Sequence, residues 1–274
     1  MLLGQGTGVE TGAVSTSFWT ARGVLRVPEI TVYFWVIKAL STALGEATSD
    51  FLVKKLHPIP AVGLGFVLFC VALALQFTRH RYIAWSYWLA VAGVGVFGTM
   101  AADVLHVGFH VPYIASSVLY AVVLAAVFFF WQRTEKTLSI HTIDTVRRET
   151  FYWAAVVATF AMGTALGDLT ATTLHLGFGL SMVLFAGIIL IPAVGYRWLG
   201  WNSIFTFWFA YVVTRPVGAS FADLVGKPTN LSGLGWGSGR ISLVLVGAIV
   251  CLVAFLSVTH RDEQVQHALG ETAK

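Results

Sequence analysis

The sequence is poor in charge. Only 11% of its 274 residues are Asp, Glu, Lys or Arg, whereas a soluble domain carries about 25%, so an ordinary water-facing surface is excluded. Cysteine is scarce too. Cys70 and Cys251 both fall in apolar runs, which excludes a disulfide framework and a cysteine metal knuckle. The net charge of +4 is small and scattered, and no basic patch points to nucleic acid. The sequence also lacks a nucleophile elbow, a zincin motif and a phosphate loop, so the chain is read as a non-enzyme with no cofactor. Its first 27 residues lack a basic stretch followed by an apolar one, and no cleaved signal peptide is read there.

Apolar residues, by contrast, are abundant. They make up 57% of the chain and aromatics 14%, which rules out disorder and predicts an all-α integral membrane protein whose first partner is the lipid bilayer. A crossing helix needs about 20 mostly apolar residues. Eight stretches qualify, at 30–53, 59–78, 82–105, 111–131, 150–174, 178–197, 202–225 and 239–259. The first, fifth and seventh carry polar or charged residues. Of the Lys and Arg, eleven lie on one side: Arg22, Arg26, Arg79, Arg81, Arg133, Lys136, Arg147, Arg148, Arg197, Arg261 and Lys274. Four lie on the other, namely Lys54, Lys55, Lys227 and Arg240, while Lys38 and Arg215 fall within spans. The bias predicts both termini in the cytoplasm. The expected layout is a cytoplasmic tail 1–28, one transmembrane domain 29–260 and a cytoplasmic tail 261–274.

A repeat runs through that domain. Trp35, Gly45 and Asp50 share their spacing, W-x9-G-x4-D, with Trp88, Gly98 and Asp103, with Trp153, Gly163 and Asp168, and with Trp208, Gly218 and Asp223. An aromatic residue precedes each Trp: Phe34, Tyr87, Tyr152 and Phe207. The four copies cover roughly 29–80, 81–132, 149–198 and 201–260, each a motif helix followed by a plain apolar helix. Two spans per copy return the chain to its starting side. The fold class is therefore eight transmembrane helices arranged as four parallel two-helix repeats, with all four Asp at one depth. Fifteen residues of helix put each Asp about 22 Å from its Trp, in the outer half of the membrane.

Pro28-Glu29-Ile30-Thr31 running into Tyr33-Phe34-Trp35, followed by Leu44-Gly45-Glu46 and Ser49-Asp50, resembles a bacterial family of uncharacterised membrane-anchored proteins built from four tandem two-span repeats of unknown function. The resemblance covers about residues 28–260. It implies the repeat architecture and carries no activity, catalytic residue or binding residue with it.

Counting from each Trp (W), positions W, W+4, W+7, W+11, W+15, W+18 and W+22 share one helical stripe. That stripe holds Thr42, Glu46 and Asp50 in repeat one, Thr99, Asp103, His106 and His110 in repeat two, Thr164, Asp168 and His175 in repeat three, and Arg215, Asp223 and Asn230 in repeat four. His57 extends it in repeat one. Ionised side chains in a membrane are costly, so Asp50, Asp103, Asp168, Asp223 and Glu46 are read as a cation site. The function expected is a transporter or channel for a divalent metal or a proton. The alternative is a scaffold or partner-binding protein whose Asp are structural rivets. Asp stripes facing one axis would favour the site, and Asp in separate helix contacts the scaffold. Lys38 and Arg215 are expected as counter-ions, Arg215 nearest Asp223. His106 and His110 are candidate accessory metal ligands, with surface or capping roles as the alternative. The repeat Gly is read as a close-packing position and the repeat Trp as an interfacial anchor. Oligomeric state and substrate identity are not encoded in any of these features.

Overall fold

The computed structural model describes residues 25–263. Arg22, Lys274 and most of the two expected tails lie outside the described residues. Within them there are nine α-helices and no strand. These are α1 (Val32–Leu56), α2 (Pro58–Phe77), α3 (Ala84–Asp103), α4 (Tyr113–Glu135), α5 (Val146–Asp168), α6 (Gly177–Ile188), α7 (Leu190–Trp198), α8 (Ser203–Gly226) and α9 (Ser238–Thr259). Single π-helical turns, Val104–Gly108 and Leu169–Thr173, extend α3 and α5. The expected sixth span is split into α6 and α7. Pro192 has no N–H, and its ring clashes with the carbonyl four residues back, at Ile188, where α6 ends.

Six helices are long and apolar enough to cross a membrane: α2, α3 with its π turn, α4, α5 with its π turn, α6 and α7 taken together, and α9. The protein is therefore a helical membrane protein. The remaining two, α1 and α8, have 25 and 24 residues, enough length for a crossing, but their polar side chains keep them below the same apolar threshold. Both belong to the inner ring, where the polar side chains of their middle turns, among them Lys38, Glu46 and Arg215, are buried against protein, while Lys54 and Lys55 at the end of α1 are exposed.

The motif helices α1, α3, α5 and α8 form an inner ring in that cyclic order. Each plain helix packs mainly on the motif helix of the following repeat: α2 on α3, α4 on α5, α6 on α8, and α9 back on α1. The repeat Gly sets the spacing within the ring. A Cβ on Gly45 would lie 2.7 Å from the Gly95 backbone of α3, and one on Gly98 would lie 2.9 Å from the Phe160 Cβ of α5. On Gly163 it would overlap the Arg215 side chain of α8, and on Gly218 it would overlap Thr42 of α1. Every contact runs from W+10 of one repeat to W+7 of the next, and the fourth closes on the first. The close-packing expectation for the Gly holds, with a defined partner for each.

The Trp expectation does not hold. Trp88, Trp153 and Trp208 are buried, as are all four preceding aromatics. Phe34 meets Trp88 at 5.7 Å between ring centroids, Tyr87 meets Trp153 at 5.5 Å, Tyr152 meets Trp208 at 6.1 Å, and Phe207 meets Trp35 at 5.8 Å. Two successive aromatics differ by about 100° around a helix, so one reaches toward each neighbour. The result is an aromatic layer closing one end of the ring, with the Tyr87 and Tyr152 hydroxyls hydrogen-bonded inside it. Such pairs contribute about 0.5–1.5 kcal/mol each beyond their buried area.

The same end gathers the connections. Tyr82 N–H donates to the Leu25 carbonyl, Arg26 N–H to Ile143, and Glu29 N–H to Asp262. Glu149, expected in a loop, is fully buried and accepts from Arg26 at 2.8 Å and Gln76 at 2.9 Å. Arg26, Val27 and Asp262 are buried too, so packing extends past the expected limits of 29 and 260.

Gly45→Ala should lower the unfolding midpoint in detergent, since overpacking costs about 1–3 kcal/mol. Gly187→Ala, where a Cβ meets nothing within 4 Å, should leave it unchanged or raise it. Equal effects would show that the α1–α3 approach is not tight.

Candidate functional site

The axis of the ring is built in layers of equivalent positions. Beside the aromatic layer lies Lys38, at W+3 on α1 and 1% exposed. Its ammonium has no hydrogen-bond partner. It rests between the faces of Tyr211, 3.8 Å to the centroid, and Phe160, 4.1 Å, a cation–π contact on two sides. It meets no acid, so the counter-ion role expected for it is not what the structure places there.

The next layer is organised by Arg215, which is completely buried. One guanidinium nitrogen donates to the Thr42 carbonyl at 2.7 Å. The other donates to Glu46 Oε2 at 3.0 Å, to Thr164 Oγ1 at 2.8 Å and to Thr99 Oγ1. Glu46, Thr99 and Thr164 are the W+11 residues of repeats one, two and three. The two threonine hydroxyls donate their own hydrogens to Gly95 and Phe160 of their own helices, which leaves lone pairs free to accept from the arginine. Arg215 therefore pairs with Glu46 on the neighbouring helix α1, not with Asp223 on its own helix. It lies two turns from Asp223, and its side chain reaches sideways over the Gly163 gap.

The four Asp at W+15 form the layer beyond. They divide into two pairs. Lys54 Nζ lies 3.0 Å from Asp50 Oδ2, and Lys227 Nζ lies 2.9 Å from Asp223 Oδ2. Both lysines are at W+19, one turn past the Asp. Burial works against a charge on Lys227, yet the carboxylates of Asp223, Asp50, Glu46 and Asp168 hold its pKa above the usual lysine value. Repeats two and three have Val107 and Thr172 at W+19. There the helix loosens into its π turn, with Phe109 N–H reaching back five residues to Val104 and Leu174 N–H to Leu169. Among the described residues, the Asp103 and Asp168 carboxylates have no ion pair and no hydrogen bond.

Glu46, Asp50, Asp103, Asp168 and Lys227 line one cavity of about 580 Å³ at this end, and Asp223, which is not part of the lining, pairs with Lys227. Ser49 and Tyr113 line it as well. Among the described residues no three of His, Cys, Asp and Glu come close enough to hold a metal ion. The accessory histidines separate. His106 lies in the π turn, hydrogen-bonded to the Val111 carbonyl at 2.9 Å and stacked on Tyr113. His110 is exposed beyond the helix end, so the i,i+4 spacing places the two on no common helical face. His57, His110 and His175, all at W+22, have φ of 70°, 57° and 55°. They are the left-handed turn residues between motif and plain helices, a conformation in which histidine is enriched.

Sequence reasoning missed Lys54 and Lys227. The signal was present, since both stand four residues after a repeat Asp. It also missed Ser49 and Tyr113, which no periodicity distinguishes.

Residues 33–82, 86–137, 151–200 and 206–262 match the family described as Repeat of Unknown Function (DUF347). The chain belongs to this family. No curated protein matches the chain, and no solved structure does. Each DUF347 repeat coincides with one motif helix and the plain helix after it, close to the limits read from the sequence.

Removing one partner of a buried ion pair costs about 3–5 kcal/mol. Arg215→Gln should therefore destabilise strongly, and adding Glu46→Gln should recover part of the loss. Arg215→Gln with Asp223→Asn should be additive. Thermal unfolding in a double-mutant cycle reads the difference, and coupling to Asp223 instead of Glu46 would contradict the described pairing.

Proposed function

We propose that the protein is a cation carrier of a bacterial inner membrane, with Asp103 and Asp168 as its working carboxylates. The observation that carries this is the divided acid layer. Two of the four Asp are neutralised by a lysine one turn away, and the other two face a cavity with no partner. Counting Glu46, five acids stand against Arg215, Lys54 and Lys227, so the layer is short of two positive charges when all are ionised. A visiting cation would supply charge where the protein does not. The π turns beside Asp103 and Asp168 support the same pair, as such turns recur at functional sites. The lining of the cavity does not extend to the buried Arg215 or to the aromatic layer, which fits alternating access better than a continuous pore. Without three clustered ligands, the preference for a divalent metal is dropped and the wider class of cations kept. Asp50 and Asp223 fit the scaffold alternative instead, as structural ion pairs.

In this proposal all eight stretches span, α1 and α8 included, and both termini are cytoplasmic. The grouping of the connections at the tryptophan end supports it, because the same connections carry the majority of Lys and Arg. The chain is taken as a non-enzyme.

In proteoliposomes screened for proton and metal-ion flux, Asp103→Asn and Asp168→Asn should fold and lose flux by about tenfold or more, in line with the roughly 2–5 kcal/mol cost of truncating a buried charge contact. Asp50→Asn and Asp223→Asn should act mainly on stability. Asp144→Asn removes only a surface pair with Arg148 and should change nothing. Wild-type flux in both Asp103 and Asp168 variants would leave the scaffold alternative. Reporter fusions near Lys136 and near Ser232 should read cytoplasm and exterior respectively, and a common side would remove the eight-span topology.

A further inference from the structure

The cavity is far larger than an ion needs. One water has a share of about 30 Å³ in the liquid, and 580 Å³ lies in the range of roughly 300–1,000 Å³ typical of small-molecule sites. Its composition is uneven. The carboxylates lie on the inner side, from α1, α3 and α5. Its outer wall is apolar: Ile59 and Val62 from the start of α2, Met100 from α3, and Val104, Val107 and Phe109 from and just after the π turn. Tyr113 adds an aromatic face beside them. A metal ion or a proton has no use for such a wall, and no three metal-ligating side chains converge here among the described residues. A second polar group waits at the inner side. Ser49 is 1% exposed, lines the cavity, and its hydroxyl has no hydrogen-bond partner among the described residues. A buried hydroxyl left unsatisfied is costly; an ammonium N–H would satisfy it, whereas a quaternary onium would bind through charge and apolar contact alone.

We infer that the cavity takes an organic cation with an apolar body, an amine or onium ion whose charge sits between Asp103 and Asp168 while its hydrocarbon part covers Ile59, Val62, Met100 and Val107. The apolar wall removes hydrocarbon from water, and the unpaired carboxylates select for positive charge. The rings of Tyr113 and Phe109 extend the apolar wall that would cover the hydrocarbon part. Phe109 is 71% exposed at the rim, so the route in passes an apolar lip, as suits a ligand that partitions into the membrane surface. This assignment rests on the cation role proposed above and narrows it to a substrate class.

The test uses the full chain in lipid nanodiscs and equilibrium dialysis with labelled tetraphenylphosphonium. Saturable binding is expected. It should weaken by about tenfold or more in Asp103→Asn and in Asp168→Asn, and severalfold in Phe109→Ala, an exposed position whose loss leaves the bundle packed. Tetramethylammonium, with charge but little apolar body, and triphenylphosphine oxide, with an apolar body but no net charge, should each compete at least tenfold less well. Binding that does not saturate, that survives both Asp substitutions in folded protein, or that the neutral competitor abolishes equally well would overturn the inference. If tetraphenylphosphonium does not bind while proton or Mn²⁺ flux still depends on Asp103, the substrate class fails and the cation role stands. If neither binding nor flux depends on Asp103 and Asp168, both fail.

Discussion

One guanidinium holds the four repeats in register. Arg215 is completely buried, and each of its described hydrogen bonds crosses to another repeat. A buried cation tolerates little displacement, because moving any of its acceptors leaves charge unpaired in a medium of low dielectric. The position of the arginine therefore fixes the height of α1, α3 and α5 relative to α8. Fixing that height aligns the aromatic layer on one side and the Asp layer on the other. The Gly163 gap is what lets the arginine stem pass, so a packing residue in repeat three and a charged residue in repeat four form one device.

The repeat also shows how a duplicated sequence becomes asymmetric while its backbone stays nearly cyclic. W+7 is Thr, Gly, Phe and Arg in the four copies, and W+11 is Glu, Thr, Thr and Ala. Four identical arginines at the axis would repel one another, and four identical alanines would leave a hole. One long cation with three short acceptors and one acid fills the same space with every charge answered. The outer layer follows a different division. Repeats one and four, neighbours in the ring, carry the W+19 lysine and remain α-helical. Repeats two and three lack it and unwind by one residue per turn after the Asp.

Much of this was legible in the sequence. The spacing of Trp, Gly and Asp gave the number of repeats, the parallel direction and the common depth of the acids, because those depend on helix geometry alone. The stripe placed Arg215, Glu46, Thr99 and Thr164 on one face, although which of them would touch was hidden. Stripe membership states that a residue faces the axis and is silent on where a long side chain reaches from there, and so the stripe pairs Arg215 with Asp223 on its own helix instead of Glu46 on the adjacent one. The Trp were misread for a related reason. A Trp near a span end satisfies either the lipid interface or a neighbouring helix, and only the partner at W−1 of the adjacent repeat decides between them. The π turns left no mark in composition. They coincide with the two repeats that have no lysine at W+19.

Among the described residues, the seam between the fourth repeat and the first is packed like the other three joints, without a peptide bond across it. Glu29 N–H is hydrogen-bonded to the Asp262 carbonyl, α9 covers α1 as α2 covers α3, and Phe207 meets Trp35 as Phe34 meets Trp88. In topological terms the bundle is a closed four-bead ring with an arbitrary nick. Joining residues 29 and 262 and opening the chain in the connection between α4 and α5 would exchange one nick for another and leave every helix with the neighbours it has now.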